Sequence, residues 1–134
     1  EILIGLVGSE MCIRDRWSCL YGYADGRNLM KDSIVIDMKY ADYDMIDGSY
    51  GVERHHLMGG ANRSHADEDG LWVPLSPDHH NSSRMSVHHN KEMKVMSHII
   101  AQLAYELEMV STGQAKDKNE AKEMFRRRYG KTFV

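Results

Sequence analysis

Cysteine is nearly absent from this chain of 134 residues. The two it has, Cys12 and Cys19, cannot build a disulfide framework, and that usage points to a reducing cytosol. No apolar run approaches the roughly 18 residues that a spanning helix needs, so neither a span nor a membrane partner is expected. Residues 1–7 are apolar but carry no basic leader and no convincing cleavage site, which argues against a secretory signal. Charge of either sign is in no great surplus: 17 Lys and Arg stand against 20 Asp and Glu, a net of −3. The chain as a whole therefore lacks a nucleic-acid signature, and any contact with DNA has to come from a local patch. Internal repeats and low-complexity tracts are missing too. At 42% hydrophobic and 28% charged residues, the composition is that of an ordinary globular protein, and the length allows one domain with a modest core.

What the chain does have is histidine. All eight lie between residues 55 and 98, and six of them form the adjacent pairs His55-His56, His79-His80 and His88-His89. Neutral imidazole is the commonest metal ligand and the side chain most easily set as a base near neutral pH. Three pairs separated by strand-like and loop-like stretches are hard to explain as packing. A metal-dependent site is the expectation around which the rest is organised.

The first sixteen residues stand apart. Leu6 to Arg16, Leu-Val-Gly-Ser-Glu-Met-Cys-Ile-Arg-Asp-Arg, resembles the conceptual translation of a transposon-type sequencing-library adapter, as met in assembled metagenomic reads. Residues 1–16 are accordingly expected to be non-native and are set aside, Cys12 with them. Residues 17–42 read as a poorly defined N-terminal segment. Its first half mixes Gly, Tyr, Asp and Asn without a period, and the β-branched run 33–38 suggests an edge strand.

The main domain is expected over 43–134. Residues 44–51 form a knuckle-like turn with glycines available for positive φ. Strands are expected over 52–57 and 71–75, joined by a long polar loop, 59–70, and Pro74 keeps the second strand short or at an edge. After a polar loop at 78–86, a helix begins near Val87 or Asn90. Met93, Met96, Ile100, Leu103, Leu107 and Val110 recur along it at spacings of three and four, a stripe expected to face the core. A shorter helix over 119–129 is ended by Gly130. It carries Arg126, Arg127 and Arg128, which with Lys131 make the one basic cluster, either a solvated face or a phosphate-contacting patch.

A strand with His-His, a loop, a second strand, another His-His and a helix opening with His is the layout of a ββα-metal finger. Neighbouring strand residues point to opposite faces, so one His of the first pair can ligate a divalent cation while the other faces the substrate. The second pair and the helix start supply the remaining ligands. Such a site would polarise a phosphodiester while the free His activates water.

Four stretches carry a family resemblance: Glu-Arg-His-His-Leu-Met-Gly-Gly-Ala-Asn-Arg (53–63), Gly-Leu-Trp-Val-Pro-Leu-Ser-Pro-Asp-His-His (70–80), Ser-Val-His-His-Asn-Lys-Glu (86–92) and Phe-Arg-Arg-Arg-Tyr-Gly-Lys-Thr-Phe-Val (125–134). Together they resemble HNH endonucleases, especially the small HNH-like proteins of bacteriophages and prophages, over roughly 44–134. The resemblance implies an α+β fold: a ββα-metal (HNH-like) finger with a long amphipathic helix and a short C-terminal helix. It implies His55, His80 and His88 as metal ligands, His56 as general base, and Arg63 as a phosphate contact, with Arg126, Arg127 and Arg128 on the DNA backbone. The cofactor would be a divalent ion, Mg²⁺, Mn²⁺, Ni²⁺ or Zn²⁺. The activity implied is that of a DNA endonuclease or nickase in the cytoplasm of a bacterial host.

Three departures from the family pattern matter. Many relatives hold a structural zinc on paired Cys-x-x-Cys or Cys-x-x-His knuckles, where this chain has Asp44, Asp47, Ser76 and His79. Without thiolates no tight structural zinc is expected, and apolar packing has to hold the knuckle alone. The central Asn of the family falls near Leu71, which cannot orient a base, so Asn62 or Asp69 would have to substitute. The separation of His80 from His88 exceeds the single helical turn of the simplest members. These gaps keep a second expectation open: a catalytically inactive HNH-derived phage protein that engages nucleic acid or a host defence complex.

Overall fold

Two short strands make the sheet. In a computed structural model of the chain, which describes residues 31–134, β1 (Glu53–His56) pairs antiparallel with β2 (Trp72–Leu75). The register sets Glu53 against Leu75, Arg54 against Pro74, His55 against Val73 and His56 against Trp72. β1 leaves Glu53 and Arg54 in solvent and buries His55, whereas β2 is buried throughout. Pro74, lacking an N–H, is tolerated because both strands of a two-stranded sheet are edges. The expected adapter-derived segment 1–16, and residues 17–30 after it, lie outside the described residues.

β2 is covered by the segment that precedes the knuckle. Ser33 Oγ donates to Trp72 O (2.7 Å), Trp72 Nε1 donates to Lys31 O (2.8 Å) and Ile34 N donates to Gly70 O (3.0 Å). The strand expected over 33–38 does not form. Ser33 Oγ accepts from Val35 N and Ile36 N, so a local side-chain bond turns the chain in place of a ladder. A 3₁₀ turn, Met38–Tyr40, follows. Residues 31–42 thus join the hairpin and helices in one unit, Lys31–Val134.

The loop expected over 59–70 is also corrected. It holds a 3₁₀ turn, Gly60–Asn62, and a helix, α1 (Arg63–Asp69). Only Ala66 of α1 is buried, so no apolar period announces it. Gly70 ends α1 at φ +74°, and a Cβ there would collide with the Asp32 carbonyl oxygen. Left-handed backbone and close approach both require glycine.

Two longer helices complete the α+β architecture. Asn90 caps α2 (Lys91–Ser111) by accepting from Met93 N at 3.0 Å, and Asp117 caps α3 (Lys118–Tyr129) by accepting from Glu120 N. Gly130, at φ +88°, closes α3. The core gathers Leu57, Leu71, Val73 and Leu75 of the hairpin with Ala101 and Tyr105 of α2 and Phe125 and Tyr129 of α3. Arg128 clamps α3 to α1, its Nε on Asp69 Oδ2 (2.6 Å) and its Nη2 on Glu68 Oε2 (2.7 Å). No helix among the described residues is long and apolar enough to cross a membrane.

The apolar stripe of α2 is not its buried face. Ser97, Ala101, Gln102, Tyr105 and Glu106 are buried instead. Met93 and Ile100 pack partly against the core, but Met96 (52%), Leu103 (43%), Leu107 (71%) and Val110 (39%) are exposed. Small Ser97 and Ala101 allow close approach. Gln102 is saturated: its Oε1 accepts from Phe133 N (2.6 Å) and Val134 N (3.1 Å), and its Nε2 donates to Glu106 Oε1 (2.7 Å). Buried polar groups with all their partners can line a core-facing surface, and a count of apolar residues does not see them.

Candidate metal centre

Each His pair is divided between two environments. On β1, alternation sends His55 inward and His56 to the other face. The second pair sits in a π-helical turn, Asp78–Ser82, a local insertion that often marks functional sites. From that turn His79 joins the knuckle, while His80 meets His55 and His88. Val87 N donates to His79 O (2.8 Å) and His88 N to His80 O (3.3 Å). These two bonds lay 87–88 against 79–80, so His88 reaches the site despite its distance in sequence.

One ligand atom each from His55, His80 and His88 lies within 4.8 Å of the other two. The ring centroids are 5.3 Å apart for His55 and His80, 5.4 Å for His55 and His88, and 4.8 Å for His80 and His88. His80 Nε2 and His88 Nε2 are 3.1 Å apart. The tautomers follow from the partners. His80 Nδ1 lies 2.5 Å from Glu53 Oε2, so the proton sits on Nδ1 and the lone pair of Nε2 faces the cluster. Ser97 Oγ donates to Leu57 O (3.3 Å) and lies 3.1 Å from His55 Nε2. Its own proton is thereby used, so His55 Nε2 donates to it and His55 Nδ1 keeps the lone pair. Carboxylate and hydroxyl partners of this kind fix the ring orientation of metal-binding histidines.

Electrostatics favour the neutral rings that a metal requires. Burial first, then the neighbouring His80 and His88, push His55 down to about 3. Burial, then His80, also lowers His88. Around a tetrahedral cation with nitrogens at about 2.0–2.1 Å, ligand atoms stand about 3.3 Å apart. The His80–His88 separation is already close to that, so the residues fit a divalent ion with a modest closing of His55.

His56 Nε2 lies 2.7 Å from Asp67 Oδ1 on α1. That oxygen is buried and has no hydrogen bond from any group, so the contact with His56 is one of distance without hydrogen-bond geometry. Asn62 and Asp69, the residues expected to back the base, are engaged elsewhere: Asn62 Nδ2 donates to Tyr129 O, and Asp69 Oδ2 accepts from Tyr129 and Arg128. Sequence reasoning missed Asp67, which sits in the segment read as a loop. Only the helical turn of α1 turns it toward β1.

The knuckle positions do come together: Asp44, Asp47 and His79 form a second group of ligand-type side chains. Asp44 is already saturated. Its Oδ1 accepts from Ile46 N (2.6 Å) and Asp47 N (3.1 Å), and its Oδ2 accepts from Ser76 N (2.5 Å) and His79 Nδ1 (2.8 Å). Burial works to raise the Asp44 carboxyl, but the Ser76 N–H, then His79 and the turn amides, outweigh it and hold it well below the usual carboxylate range. The bond to Asp44, against burial, raises His79. An ion pair with its own hydrogen bonds therefore holds the knuckle, and the expectation that apolar packing holds it alone is corrected.

Of the expected phosphate contacts, Arg63 is exposed at the start of α1 and Arg127 is exposed on α3. Arg126 pairs with Glu123 (2.8 Å), and Arg128 is the clamp to α1. Of the other histidines, His65 lies near Glu68 and Tyr129, His98 packs on Phe133, and His89 is exposed. Set against protein-family models, curated proteins and solved structures, the chain matches none.

Proposed function

We propose that this protein is a divalent-metal-dependent hydrolase of DNA phosphodiester bonds, of the HNH type, in which the hairpin and the start of α2 form a ββα-metal finger. The carrying observation is the convergence of His55, His80 and His88 on one side of β1 while His56, backed by a carboxylate, occupies the other. His55 Nδ1, His80 Nε2 and His88 would hold the ion. When bound, it supplies positive charge to a phosphate oxygen and to the departing oxygen. Three imidazoles suit zinc or nickel better than magnesium, which prefers oxygen ligands. His56 directs Nε2 to Asp67, which leaves Nδ1 to take a proton from water, and the Asp67 carboxylate stabilises the imidazolium that results. Arg63 and Arg127 contribute charge to the DNA backbone without reading bases. The setting that accompanies this reading is a phage-encoded protein in the cytoplasm of a bacterial host.

The test is nicking of supercoiled plasmid with Mg²⁺, Mn²⁺, Ni²⁺, Zn²⁺ or EDTA, alongside metal binding. Metal-dependent nicking is expected, lost in both His56→Ala and His80→Ala, with metal binding lost only in the second. A folded, metal-loaded protein that cuts with no ion would overturn the enzyme and leave an HNH-derived binding protein. One observation favours that second reading: carboxylates hold Arg126 and Arg128, which thins the basic surface.

A further inference from the structure

α2 turns an apolar face away from the core. Opposite the packed face of Ser97, Ala101 and Tyr105, the residues Met96, Ile99, Leu103, Leu107 and Val110 run along the helix with no charged side chain among them. Leu107 is 71% exposed and Met96 52%, in a 21-residue helix whose stretch from Met96 to Val110 spans about 21 Å. A contiguous exposed apolar strip of this kind marks an interaction surface.

We propose that this face is a contact between two copies of the chain, packed antiparallel about a two-fold axis near Leu103. Met96, Leu103 and Val110 recur every seven residues, the spacing that keeps a seam facing a partner helix. The pattern is also symmetric about its centre. Reversing one helix sets Met96 against Val110, Ile99 against Leu107 and Leu103 against its own copy, the self-complementarity that a two-fold interface requires. The exposed part of Met96, Leu103, Leu107 and Val110 is about 400 Å² per helix, so two such faces bury about 800 Å², just below the roughly 1,000 Å² of a stable specific interface. The dimer is therefore a weak one, forming at roughly micromolar concentration or above.

Sedimentation of the full chain from low to several hundred micromolar tests this. Concentration-dependent dimer is expected, and Leu107→Lys, at a side chain too exposed to matter for folding, should leave a folded monomer over the whole range. In a background with Cys12→Ser and Cys19→Ser, Leu103→Cys should oxidise to a disulfide-linked dimer, whereas Tyr50→Cys, on the knuckle and more exposed than Leu103, should not. A monomer at every concentration, a dimer indifferent to Leu107→Lys, or equal cross-linking at both positions would overturn the proposal.

Discussion

Asp44→Ala tests the knuckle directly. The carboxylate is fully buried as a side chain and accepts four hydrogen bonds. Two of these, from Ile46 N and Asp47 N, lie within an exposed turn and can be replaced by water at little cost. The other two bind the knuckle to the end of β2: Ser76 N loses its acceptor, and His79, 25% exposed, loses its counter-charge. Hydrogen bonds to a charged group contribute about 1.5–3 kcal/mol each, so the loss should be about 3 kcal/mol. In a domain of this size that lowers Tm by roughly 15 °C. Asp44→Asn should cost nearly as much, because its amide sets an N–H against Ser76 N–H. Asp47→Asn, half-exposed at the rim, should be within about 0.5 kcal/mol of the parent. Urea denaturation in EDTA measures all three without any contribution from bound metal. A loss below about 1 kcal/mol for Asp44→Ala, or equal losses at Asp44 and Asp47, would show that apolar packing holds the knuckle and refute the ion-pair account.

The same carboxylate sets an acid limit. Its folded value is depressed, so its contribution is present above the ordinary 3.8 and is lost as pH falls below that; urea midpoints should drop steeply there in the parent and much less in Asp44→Ala. Glu53→Gln weakens the hold on the His80 tautomer and should reduce Zn²⁺ or Co²⁺ affinity about 10–100-fold in a chelator competition; unchanged affinity would reject the proton assignment. Gly70→Ala should cost at least about 3 kcal/mol, from left-handed backbone plus the collision with Asp32, read by thermal unfolding. Arg128→Ala should destabilise by about 1–2 kcal/mol with little change in the salt slope of DNA binding, whereas Arg127→Ala should lower that slope by about 1 and spare stability; the reverse pattern would move the DNA contact to the clamp.

Features of the chain that are local in origin were legible in its sequence. Strand alternation, the Gly130 stop and the edge role of Pro74 act within a few residues, so the hairpin and both long helices could be read directly, whereas the capping roles of Asn90 and Asp117 came from the structure. His55, His80 and His88 could be paired on the resemblance of their flanking residues, and the structure does bring them together. Other features were decided only by the tertiary structure, because their causes lie far apart along the chain. Asp67 finds His56 only when α1 folds back on β1. Asp44 finds Ser76 and His79 across the knuckle, and Ser33 finds Trp72 in place of a strand. Which side of α2 faces inward is the clearest case. Periodicity locates an apolar stripe but not what packs against it, and here a saturated Gln102 and small Ser97 and Ala101 occupy the inner face, because close approach and satisfied hydrogen bonds decided the packing where hydrophobicity alone pointed the other way.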